Sequence, residues 1–137
     1  RLLAGPNLAG DERARLVAAA PQGVIVEANR DNFPSLLSRC AVSVSQAGYN
    51  TVAELLRAGC RAVVVPYSAG GETEQSFRAQ RLHKRGLAHV VKETALGPET
   101  LAAAVDAAAS GPAPEPGGID LDGAENSARL VMSWLDR

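Results

Sequence analysis

The stretch Ala41 to Pro66, AVSVSQAGYNTVAELLRAGCRAVVVP, constrains this chain more than any other, because it reads as strand, tight turn, helix and strand in direct succession. The short apolar run Ala41 to Val44, rich in β-branched residues, predicts a buried strand. Gly48 breaks it. Thr51-Val52-Ala53-Glu54 then fits a capping box, in which the hydroxyl takes one orphan amide of the first turn and the carboxylate returns to another. Val52, Leu55 and Leu56 form an apolar stripe, Gly59 is placed to end the helix, and Ala62 to Val65 predicts a second strand stopped by Pro66. Such a βαβ unit gathers Ser45, Gln46, Gly48, Asn50, Thr51 and Glu54 where a strand ends and a helix begins. Open α/β sheets bind ligands at that place.

The rest of the chain repeats the alternation. Arg1 to Ala4 reads as a strand, and Asp11 is placed to cap a helix through Ala20 that buries Ala14, Leu16, Val17 and Ala20. Val24 to Val26 reads as a strand, and Phe33, Leu36 and Leu37 mark a short helix. After Pro66 comes the loop Tyr67 to Glu74, which contains Gly70 and Gly71 and faces the same crevice as Gly48. A helix over Gln75–Arg85, a strand over Leu87–Val91 and a helix from Pro98 to Ala109 follow. This predicts an α/β fold, Rossmann-like, with a mostly parallel sheet and helices on both faces. Residues 110–120 are rich in proline and glycine and read as a linker. Residues 121–137 carry Leu130, Val131, Trp134 and Leu135 at helical spacing and predict a final docking helix. At 137 residues the length predicts one domain. The opening inside an apolar run predicts that residues before Arg1 have been removed.

A formal net charge of −1 and a pI near 6.1 give no overall reason to bind nucleic acid. No run approaches the ~18 apolar residues of a membrane span. Cys40 and Cys60 form no CxxC and are not paired with either histidine, so zinc and redox readings are weak and no metal is expected. Two isolated thiols suit a reducing compartment.

The residues around Gly48 support two readings. Gly48 to Thr51 reads as an anion cradle, in which the unpaired amides of a helix start hold a phosphate; it reads equally as a turn followed by a cap. Glu54 is either the reciprocal cap or an acceptor for a ligand hydroxyl. In the second cluster Gln75 has an amide suited to bridging sugar hydroxyls, whereas Glu72 and Glu74 also suit a solvated helix start. Arg78 and Glu74, four apart, read as a surface pair. No GxGxxG, Walker loop or nucleophile elbow is present.

SQAGYNTVAELLRAGCRAVVVP, followed by EQSFRAQRLHKRGLAHVV, resembles the C-terminal domain of GT-B glycosyltransferases of the family 28 type. The best-known members of that family add N-acetylglucosamine to the lipid-linked peptidoglycan precursor. The resemblance implies a nucleotide-sugar donor lobe, residues 1–109, with no cofactor and a UDP-sugar as donor substrate. It implies that Gly48, Asn50 and Thr51 hold the donor phosphates, beside Ser45 and Gln46. Glu54 would accept from the ribose, the backbone near Arg30 would face the base, and Gln75 with Glu74 would meet the transferred sugar. The catalytic base and acceptor site would lie in an N-terminal lobe, on the same chain or a separate subunit. The implied location is cytoplasmic, with peripheral association at the inner membrane face through the preceding part.

Some positions depart from the family pattern. Gln46 replaces an arginine of the peptidoglycan enzyme, Arg61 replaces a proline, Arg78 stands where an asparagine reads the sugar, and Gly70-Gly71 lengthens the loop before Gln75. Two other functions stay open: a non-catalytic nucleotide-binding or partner module of a split transferase, and a lobe of a nucleotide-sugar epimerase.

Overall fold

In a computed structural model of the chain, which describes residues 1–115, 117 and 119–135, the most deeply buried strand is β4 (Ala62–Val64). It lies between β3 (Ser43–Ser45) and β5 (His89–Val90) in a three-stranded parallel sheet. Ser43 pairs with Ala62 and Ser45 with Val64, while Val63 pairs with His89 on the other side. Val63 and Val64 are both fully buried, as a strand covered on both faces requires. Side chains alternate along a strand, so the two neighbours meet different layers. Val63 packs with Val91 and with Leu101, Ala104 and Ala108 of α5 (Pro98–Ser110). Ala62 sits among Val52, Leu55 and Leu56 of α3 (Tyr49–Ala58) and Leu82 of α4 (Glu74–Lys84). Helices therefore flank the sheet on both sides, as an α/β lobe of the GT-B type requires.

Local chemistry sets the boundaries. Gly59 adopts the left-handed conformation at φ 60° and ends α3 where the sequence places the stop. β5 is shorter than predicted because Leu87 closes the end of α4 instead, its amide donating to the Leu82 carbonyl at 2.9 Å.

Residues Arg1–Leu36 form one compact unit and the residues from Leu37 onward a second. In the first, β1 (Leu2–Ala4) pairs in parallel with β2 (Val26–Ala28), and α1 (Gly10–Ala19) connects them. β2 starts two residues later than predicted, because a turn takes up the preceding residues: the Val24 amide donates to the Pro21 carbonyl at 3.0 Å. Asp11 does not cap α1; it lies in the first turn, and Ala9 is the N-cap. The predicted buried side of α1 is also absent, with Leu16 and Val17 exposed and no residue of the helix buried. Glu27 accepts from Arg1 at 2.6 Å and from Arg30 at 3.3 Å. The Arg1 hydrogen bond is the main reason its carboxyl is held below the ordinary value. A short helix, α2 (Phe33–Leu37), follows.

The last helix, α6 (Gly123–Leu135), does not dock among the described residues. None of its residues is buried, and Leu130, Val131, Trp134 and Leu135 are all exposed. The sequence spacing predicts the stripe but not a surface to receive it. Positions 136 and 137 of the predicted helix, and positions 116 and 118 of the predicted linker, lie outside the described residues. Among the described residues no helix is long and apolar enough to cross a membrane.

Candidate functional site

α3 begins earlier than the capping-box reading predicts. Gly48 is its N-cap, with φ −61° and ψ 149°, and the first helical bond runs from the Val52 amide to the Gly48 carbonyl at 2.9 Å. Thr51 therefore lies inside the first turn and Glu54 in the next one. Neither caps the helix, and no other side chain among the described residues does. The amides of Tyr49, Asn50 and Thr51 are left without an acceptor among the described residues, as the first donors of a helix are unless something caps them. Asn50 is exposed, and Gly48 and Thr51 are half-buried, so this helix start is not sealed beneath the core.

Gly48 itself has no conformational reason to be glycine. Its backbone angles suit any residue, and an added Cβ would meet only Thr51 Oγ1, at 3.9 Å. Glu54 is half-buried and has no hydrogen-bond or ion-pair partner among the described residues. Gln46 is exposed. The Ser45 hydroxyl is covered and has no hydrogen-bond partner among the described residues.

The start of α4 is built differently. Glu72 Oε1 accepts from the Glu74 amide at 2.6 Å and from the Gln75 amide at 3.4 Å, closing that helix start with the chain's own carboxylate. Gln75 Oε1 accepts from the Tyr67 amide at 3.2 Å, which engages its oxygen and leaves its NH2 group without such a bond among the described residues. The loop after β4 is also fixed by Glu93, whose Oε2 accepts from the Ser68 amide at 2.9 Å and the Ser68 hydroxyl at 2.8 Å.

Arg78 joins the two clusters. Its Nη1 donates to the Ala47 carbonyl at 2.6 Å, its guanidinium lies 5.8 Å from the Tyr49 ring centre, and Nη2 stands 3.8 Å from Glu74. The sequence treats Arg78 as a surface pair with Glu74; the structure makes it the tie between α4 and the loop that opens α3. It also places a cation beside that loop. Tyr49, largely exposed at the first position of α3, is a residue that sequence reasoning passed over, although it stands between two residues singled out. Arg30 belongs to the Arg1–Leu36 unit. There its guanidinium is bonded to Glu27 and Asn32, and its carbonyl accepts from the Phe33 amide at 3.2 Å.

The Ser68 hydroxyl, and then its amide, hold the Glu93 carboxyl below its ordinary value of 4.5. A carboxyl depressed by folding contributes to stability above its unfolded pKa and loses that contribution as pH falls through the folded one. We therefore expect the Ser68 amide to stay protected from solvent exchange at neutral pH and to lose protection only in acid below 4.5. Exchange rates measured across that range check this, and Glu93→Gln should remove the pH dependence.

The family model for the glycosyltransferase family 28 C-terminal domain matches residues 12–116. A UDP-N-acetylglucosamine–N-acetylmuramyl-(pentapeptide) pyrophosphoryl-undecaprenol N-acetylglucosamine transferase from Synechococcus elongatus is 33% identical over 77% of this chain and 33% of its own length. An uncharacterized glycosyltransferase of Methanopyrus kandleri is 32% identical over 77% of this chain and 30% of its own. The solved structure of the glycotransferase of kitacinnamycin superposes with a TM-score of 0.57 at 28% identity, covering 85% of this chain and 29% of that one. The chain thus spans about a third of the length of these relatives. With most of its length matched by that family model, the chain belongs to the glycosyltransferase family 28 C-terminal domains.

Proposed function

We propose that the Gly48 to Glu54 segment receives the diphosphate and ribose of a nucleoside diphosphate sugar. In the whole protein this unit would present that donor for transfer of a hexose-type sugar to an acceptor. The observation that carries the reading is the contrast between two neighbouring helix starts, one closed by Glu72 and the other left without a cap. Amides at a helix N-terminus, with the helix dipole behind them, bind phosphate readily. UDP is the preferred nucleotide, because the Synechococcus relative is named for a UDP-sugar.

In this reading the Asn50 and Thr51 amides bind phosphate oxygens, and Glu54 accepts from the ribose hydroxyls. Gln75 offers its NH2 group to the sugar, near Glu74. Arg78, tied to Ala47, supplies a positive charge that Gln46 does not. In the transfer itself an acceptor oxygen bonds to the anomeric carbon as the bond to the diphosphate breaks. Negative charge grows on the leaving group, and the α3 amides stabilise it selectively in the transition state. The base that takes the acceptor proton belongs, in this proposal, to a preceding lobe at the cytoplasmic face of the membrane.

The test is titration with UDP while backbone amide shifts are followed. Shifts at Tyr49 to Thr51 are expected; none at millimolar UDP would remove the proposal. Glu54→Ala should weaken UDP about tenfold, the equivalent of one charge-assisted hydrogen bond, and should weaken 2′-deoxy-UDP less. Equal weakening of both would show that Glu54 does not read the ribose.

A further inference from the structure

Cys40 and Cys60 read as isolated thiols in the sequence, but the fold brings them together. The parallel register that pairs Ser43 with Ala62 puts both cysteines just before the paired strands, at the end of the sheet opposite Gly48. The Ser43 amide donates to the Arg61 carbonyl at 2.8 Å, holding the two chains side by side there. Carried back by the same offset, Cys60 comes opposite Ala41, the residue next to Cys40, and adjacent parallel strands run about 4.8 Å apart, a spacing of the order that a disulfide spans. The Cys40 thiol is near enough to act electrostatically on Cys60. Cys60 is buried beside Leu55, Leu56, Leu82 and Leu87, whereas Cys40 is only half-buried and its Sγ lies 3.3 Å from the Leu37 carbonyl oxygen.

From this arrangement we propose that Cys40 and Cys60 form a reversible redox modification site that takes a low-molecular-weight disulfide as oxidant. Cys40, the accessible partner, attacks one sulfur of that reagent as its thiolate, forming a mixed disulfide and releasing one thiolate. Cys60 then loses its proton and its sulfur attacks Cys40 Sγ, closing the internal disulfide and releasing the second thiolate. Two electrons and two protons leave the cysteine pair, and one small disulfide becomes two small thiols. Burial, followed by the neighbouring Cys40, raises the Cys60 thiol to about 11. That fixes the order, with Cys60 as the resolving partner rather than the entry point.

The closed loop would run from Cys40 through β3, Gly48 and α3 to Cys60, enclosing the whole segment proposed to hold the donor. A cross-link of this kind restricts the unfolded chain.

The experiment treats the full chain with oxidised glutathione, then blocks remaining thiols under denaturing conditions and maps peptides by mass spectrometry. Expected is a peptide pair joined through Cys40 and Cys60, with no thiol left to alkylate, and a thermal midpoint raised by about 5 °C or more that dithiothreitol reverses. Cys60→Ala should stop at the glutathione adduct on Cys40, and Cys40→Ser should leave Cys60 unmodified in the folded protein. The proposal is overturned if the wild-type chain carries only a stable glutathione adduct at Cys40, or if only links between separate molecules form. Should Cys60→Ala fail to fold, Cys40→Ser and the wild-type peptide map decide the question.

Discussion

Gly48→Ala is expected to fold as the parent does and to bind UDP about 100-fold more weakly. The first half follows from the chain's own geometry. The φ of −61° is available to alanine, and the new Cβ meets nothing closer than 3.9 Å. Alanine is a poorer N-cap than glycine by roughly 0.5–1 kcal/mol, but it also restricts the unfolded chain by ~0.4–1 kcal/mol, so the two effects nearly cancel. The second half follows from what would approach the open side of the helix start. A phosphate bonded to first-turn amides passes close to the residue before them, and a methyl group there pushes it away. Loss of two charge-assisted hydrogen bonds at ~1.5 kcal/mol each amounts to about 3 kcal/mol, or about 100-fold in affinity. Thermal melting and calorimetric titration measure the two halves separately. An unchanged affinity would mean that the phosphates lie elsewhere, while a large loss of stability would mean that the glycine serves the fold.

The parallel strand order, the helices on both faces and the stop at Gly59 were legible because each rests on local chemistry: short β-branched runs, an apolar stripe and a left-handed glycine. The start of α3 was not. Thr51-Val52-Ala53-Glu54 has the composition of a capping box, but Gly48 to Asn50 can extend the same helix toward the strand, and the β3–β4 register leaves only a short connection to fill. The sequence therefore misassigns what Thr51 and Glu54 do for the helix. Contacts between distant positions were out of reach for a different reason. Arg78 on Ala47, Ser68 on Glu93 and Cys40 against Cys60 each join segments whose distance is set by tertiary packing, which no spacing rule records. For the same reason the stripes of α1 and α6 were readable, but the surface expected to cover them was not.

Arg78→Ala is expected to lower both stability and affinity, because its guanidinium holds the loop that opens α3. Ala47 is fully buried, and its carbonyl accepts from Arg78 at 2.6 Å. A hydrogen bond from a charged donor contributes about 1.5–3 kcal/mol, and removing it leaves a carbonyl in a buried residue without that partner. The Tyr49 contact at 5.8 Å adds less than ~1 kcal/mol at so exposed a ring. The Glu74 pair adds almost nothing, since that carboxylate is 82% exposed. Together these give a loss of about 2–3 kcal/mol, a fall of roughly 10 °C in the melting midpoint of a domain this size. UDP affinity should fall at least tenfold below the melting range, because the loop before the α3 amides loses its anchor and the site loses a positive charge. Arg78→Lys separates these contributions. An ammonium keeps the charge but not the planar fork or the stacking on Tyr49, so it should restore most of the affinity and less of the stability. If Arg78→Ala melts with the parent, the Ala47 bond does not anchor the loop. If lysine restores the midpoint and leaves affinity low, the guanidinium acts through its geometry rather than its charge.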